Sequence, residues 1–156
     1  MKRKIAPTGL LIIFVISLGV SMPATAQAWS SQCSLARAAG NWSFTDSGTV
    51  VGIGPRTAVG VFTLDGNGNL LNGLATSSLN GSIADETFSG TYTVSSNCTG
   101  KLSVGIYISG VLAYTVTLNL AFDDDMRAMR GLFTSAVVEP SGTPLSIVIS
   151  LDARRQ

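Results

Sequence analysis

From Leu112 to Phe122 the chain alternates. Leu112, Tyr114, Val116, Leu118, Leu120 and Phe122 are large and apolar, whereas Ala113, Thr115, Thr117, Asn119 and Ala121 are small or polar. Successive side chains of a strand point to opposite faces, so a period of two describes a sheet with one apolar and one solvated face. Leu102, Val104, Ile106 and Ile108 repeat the pattern, as do Leu145, Ile147, Ile149 and Leu151. Phe88, Gly90, Tyr92 and Val94 face one way, and Thr87, Ser89, Thr91 and Thr93 the other.

Turn signals divide these runs. Asp65-Gly-Asn-Gly-Asn69 is the strongest, because Gly and Asn tolerate positive φ. Asn80-Gly81, Asn97 to Gly100, Ser109-Gly110, Asp123 to Asp125 and Pro140 to Pro144 mark the rest. The spacing predicts strands over 41–51, 57–65, 69–79, 86–95, 101–109, 111–122, 126–138 and 144–153. Eight strands with short links predict an all-β, antiparallel up-and-down barrel, which leaves no open edge. A β-sandwich is the alternative. Trp29 to Ala39 predicts one short N-terminal helix, with Ser31 as its N-cap and Gly40 as its stop.

The front of the chain reads as an address. Lys2, Arg3 and Lys4 precede an apolar run from Gly9 to Val20, and Ala24-Thr25-Ala26 offers a cleavage site. The expected organisation is a signal peptide at 1–26, a helical segment at 27–40 and a β-barrel domain at 41–156. Losing Lys2, Arg3 and Lys4 leaves seven basic residues against nine acidic, a net charge of −2. That balance predicts no nucleic-acid partner, and membrane attachment only through an uncleaved leader. An exported location, periplasmic or extracellular, makes a disulfide between Cys33 and Cys98 the expected state of the two cysteines.

Composition also limits chemistry. There is no histidine, so Ser-His-Asp triads and His-ligated metals are excluded. Charged residues make up only 12%, and most of the acids fall in turns. No catalytic residue, cofactor or metal is expected on these grounds. Asp65, Asn67 and Asn69 have the spacing that opens a calcium loop, but Leu70 and Thr76 stand where such a loop needs Gly and an acid. A hairpin turn explains them better. Asp123-Asp124-Asp125 is expected to be solvated.

Gly60-Val-Phe62-Thr63, Gly90-Thr-Tyr92-Thr93 and Gly131-Leu-Phe133-Thr134 form a weak internal repeat. A glycine lets a sheet coil, and an aromatic two residues on shares its face and can cover the gap.

The order of a short helical turn, then Gly40-Asn41-Trp42, then eight strands resembles the calycins, the lipocalins and avidin-like proteins. The resemblance implies that Trp42 packs at the closed end under Arg154 or Arg155. Avidin's later tryptophans are missing, since no Trp follows Trp42, so biotin binding is not implied. Residues 59–102 also resemble small exported bacterial proteins of unassigned function, through Phe62-Thr-Leu-Asp-Gly-Asn-Gly68 and Gly90-Thr-Tyr-Thr-Val94 ahead of Cys98-Thr-Gly100.

An eight-stranded barrel is wide enough for a core or for one small ligand. Expected lining residues are Trp42, Phe62, Tyr92, Tyr114 and Arg130, holding a small apolar ligand. Asp46 shares the face of Trp42 and Phe44 and is expected to point inward, toward Arg127 or Arg130. The alternative is a filled core acting through its surface, and a cyclase- or isomerase-type enzyme comes third. An outer-membrane barrel fits poorly, because the outward positions carry Thr, Ser and Asn and the chain ends Ala153-Arg-Arg-Gln156.

Overall fold

The computed structural model describes residues 33–156. The expected leader at 1–26 and the start of the expected helical segment, Trp29 to Gln32, lie outside the described residues. Helix α1 spans Leu35–Ala38, and Ser34, in extended backbone, caps it by accepting from the Arg37 amide; the expected cap Ser31 is outside the described residues. Seven strands follow: β1 (Gly40–Val50), β2 (Gly54–Leu64), β3 (Asn69–Leu79), β4 (Ser82–Val94), β5 (Thr99–Ile108), β6 (Val111–Phe122) and β7 (Ala128–Val138). The last stave is split into β8 (Thr143–Pro144) and β9 (Ile147–Arg155).

Each of β1 to β7 pairs antiparallel with its sequence neighbours, and β9 pairs with both β1 and β7. The sheet is thus a closed eight-strand barrel, as the alternation predicts. Strand ends differ from expectation near one pole. β2 begins at Gly54 rather than 57, and β4 at Ser82 rather than 86. Both gain residues that composition assigns to turns.

Going up β1, the inward side chains are Trp42, Phe44, Asp46 and Val50, all buried. They set the layers of the interior. At the lower pole Trp42 meets Phe122 edge-on at 6.4 Å, with Met126 and Met129 fully enclosed nearby. Above them Phe44, Phe62 and Phe88 form a triangle with centroids 5.6 to 6.2 Å apart.

Helix α1 plugs the lower pole. Trp42 Nε1 donates to the Ala38 carbonyl at 3.0 Å, and the Tyr92 hydroxyl donates to Asp65 O at 2.6 Å and lies 3.2 Å from Leu35 O. Cys33 and Cys98 form a disulfide that pins the segment to the β4–β5 turn. Arg155 stands opposite Trp42 in the β1–β9 register, and its guanidinium donates to Arg37 O at 3.0 Å. A Cβ on Gly40 would come within 2.7 Å of Arg155 Nε, so the glycine lets the arginine cross there.

The Gly-x-aromatic repeat works differently from its sequence reading. Gly60 lies opposite Phe44, and a Cβ there would touch the Phe44 ring at 2.7 Å. At Gly60 the covering aromatic comes from the neighbouring strand, whereas Gly90 and Gly131 meet backbone and aliphatic side chains.

The Asp65 turn closes as a hairpin. Its carboxylate accepts from the Asn67 and Asn69 amides and from the Asn69 side chain at 2.7 to 2.9 Å. These bonds, the Asn69 side chain first, hold the Asp65 carboxyl below the ordinary value.

Candidate functional site

The upper half of the barrel holds a charged cluster. Asp46 enters from β1, Arg56 from β2, Ser77 from β3 and Glu86 from β4. Each has the inward parity of its strand: Arg56 follows the face of Ala58 and Phe62, and Glu86 that of Phe88 and Tyr92. Arg56 Nη1 and Nη2 each donate to a different Glu86 oxygen at 3.0 Å, a bidentate pair. Nη2 also reaches Asp46 Oδ2 at 3.5 Å. Ser77 Oγ donates to Glu86 Oε1 at 2.6 Å.

Asp46 is 3% exposed and its Oδ1 has no hydrogen-bond partner. The Ala58 amide across the β1–β2 pair lowers its pKa slightly without bonding Oδ1 in normal geometry. Burial dominates, and it holds the Asp46 carboxyl above the ordinary value of 3.8; Arg56 opposes this and the Glu86 charge adds to it. The Arg56 guanidinium is raised by its bonds to Glu86 and the Asp46 charge, which outweigh the opposing effect of burial.

Two cavities flank Arg56. The deeper one, about 40 Å³, is bordered by Asp46, Arg56, Glu86 and the rings of Phe44, Phe62 and Phe88. The upper one, about 90 Å³, forms the mouth between Val50, Ile53, Leu79, Tyr114, Val138 and Ile147. Arg56, Ile106, Val116 and Phe133 line both. A larger trough of about 750 Å³ crosses the outside of β2 to β5 past Val59, Leu74, Ile83 and Tyr107. It is a shallow surface feature whose exposed acid, Asp85, is bonded to Thr76, so the converging groups of the interior make the better site.

The expected lining residues separate. Tyr114 stands at the mouth and Phe62 at the central cavity. Trp42 and Tyr92 belong to the plugged pole, each with its polar atom bonded to backbone. Arg130 is not interior. Its side chain is 78% exposed on the outer face, 3.6 Å from Asp152. The arginine that meets Asp46 is Arg56 rather than Arg127 or Arg130, because β7 puts Met129 and Phe133 inward and Arg130 outside, and Arg127, just ahead of β7, is exposed.

No protein-family model matches the chain, and no curated protein matches it. Two solved structures resemble it to different degrees. The structure of EF1p2_mFAP2b bound to DFHBI superposes with a TM-score of 0.56 at 12% identity, over 81% of this chain and 99% of that one. Rv2717c from M. tuberculosis gives 0.41 at 16% identity, over 78% and 94%. The first likeness speaks to the fold. That fold is a closed eight-strand antiparallel barrel with one short helix on its N-terminal side.

Proposed function

We propose that this is an exported barrel that binds a small, largely apolar ligand through its open mouth. The observation that carries the proposal is the mouth cavity of about 90 Å³, walled by aliphatic and aromatic side chains with Tyr114 and Arg56 as its polar points. Tyr114 is the aromatic we assign to ligand contact, with Phe62 deeper and Trp42 and Tyr92 serving the plug. Export is supported by the leader-like residues 1–26 and by the disulfide, which suits an oxidising compartment. EF1p2_mFAP2b, a barrel of similar shape, is bound to the small molecule DFHBI, which is compatible with a ligand here.

The cavity is small beside the roughly 300 Å³ of an ordinary ligand pocket. That favours, as a second reading, a filled core whose work is done at the surface. The inward Asp46 and Glu86 beside Arg56 keep an acid–base enzyme third.

Melting the purified protein with and without fractionated cell lipids tests the first reading. A fraction that raises the melting temperature in a dose-dependent way is the expected result. No shift with any fraction, or with short-chain amphiphiles, sinks it.

A further inference from the structure

The interior carries two carboxylates and one guanidinium; among the described residues no other charged side chain is buried. With both acids ionised the cluster is one positive charge short. Arg56 is committed to Glu86 at two atoms and to Asp46 at one. An anionic ligand would therefore meet an arginine already engaged and two carboxylates beside it. Asp46 borders the deeper cavity, and its Oδ1 is buried and without a partner. A buried acceptor without a donor is costly, and a charged one more so.

Resting on the carrier reading above, we infer that the barrel selects a small amine, its short apolar body in the mouth and its ammonium against Asp46 Oδ1. The ammonium supplies both the missing donor and the missing charge. Phe44, Phe62 and Phe88 border the same cavity and offer ring faces to a cation. The head must pass Arg56, Ile106, Val116 and Phe133, the four residues that the two cavities share. Size sets the body. The mouth is smaller than the roughly 150 Å³ cavity that takes benzene, so a short chain suits it better than a fused ring. The direction of the Asp46 shift agrees, since burial and Glu86 disfavour a lone anion there and an adjacent ammonium would reverse that.

The test compares n-hexylamine, n-hexanol and hexanoate, equal in chain length, by calorimetric titration of the full wild-type protein at pH 7. Hexylamine is expected to bind at least about tenfold tighter than hexanol, with hexanoate weakest. Equal affinity for amine and alcohol, or tighter binding of hexanoate, overturns amine selection and leaves the carrier intact. Binding of none of the three, together with no melting shift from any lipid fraction, overturns the carrier itself. Asp46→Asn is expected to abolish the amine preference, bringing hexylamine to the value that the same variant shows for hexanol. An unchanged amine preference in that variant overturns the assignment to Asp46. Should the variant not fold, the three-ligand comparison on the wild type decides alone.

Discussion

Arg56 on β2 and Glu86 on β4 are joined across a strand that separates them. Their two contacts of 3.0 Å pass over β3, whose Ser77 donates to the same carboxylate at 2.6 Å. The pair is nearly dry, with side-chain exposures of 11% and 3%. Desolvation makes such a pair weak evidence of net stabilisation, but removing one partner leaves a buried charge without compensation.

Arg56→Met is accordingly expected to cost about 3–5 kcal/mol in urea unfolding. Replacing Asp46, Arg56 and Glu86 together by Leu, Met and Met is expected to recover most of that loss. A single variant as stable as the wild type would show that the pair carries little of the fold.

Asp46 should leave a mark on the pH dependence of stability. A carboxyl raised by the fold favours the folded chain fully below its ordinary value of 3.8, and this advantage is lost as pH climbs through the raised value. Arg56 and Glu86 are the charged groups facing it. The stability of the wild type relative to Asp46→Asn is therefore expected to fall as pH rises from about 4. Paired unfolding curves at several pH values measure it, and a difference that grows with pH contradicts it.

Tyr92 ties plug to barrel. Tyr92→Phe leaves the partly buried Asp65 carbonyl without its 2.6 Å donor and is expected to cost about 1 kcal/mol. Burial, with the Asp65 charge, pushes the phenol up to about 12. Its contribution is present below 10 and lost as pH rises from there through the raised value of about 12, so alkaline unfolding should be less steep in the variant. Denaturation at pH 7 and pH 11 checks both.

The disulfide closes a loop of 65 residues in sequence separation. Loop-closure entropy gives it roughly 4 kcal/mol, so Cys33→Ala with Cys98→Ala is expected to lower the urea midpoint strongly. An unchanged midpoint would mean that the short helix and its hydrogen bonds hold the plug unaided.

At the opposite pole, Val138→Trp places an indole in the mouth cavity. Binding of every ligand that enters there is expected to weaken by about tenfold or more, with the fold intact by circular dichroism. Unaltered affinity would put the ligand somewhere other than the barrel.

Much of this was legible in the residues. The alternation from Leu112 to Phe122 appears in the burial of Val116, Leu118, Leu120 and Phe122, and strand closure follows from eight such runs. Asp46 was found by parity with Trp42 and Phe44. Its partners were harder. Arg56 follows Gly54-Pro55, residue types that mark turns, so a strand drawn from 57 discards it, while Glu86, drawn as the first residue of its strand beside Asp85, reads as a turn acid. Extending the parity of Phe62 back to 56, and recognising Glu86 as in register with Phe88, would have brought them in. Arg130 shows the opposite error. A charged residue in mid-strand suggests an inward exception, yet its neighbours Met129 and Gly131 already fill the interior face. Which carboxylate each arginine meets depends on cross-strand stagger, and no single-strand pattern records that.

Cys33 and Gln156 lie at the same pole, one bonded to the β4–β5 turn and the other donating its amide to Asn41. The hairpins around the mouth carry neither. Anything fused or tethered at either position, whether a tag, a surface or a leader held in a bilayer, would leave the mouth facing outward, like a cup fixed by its base.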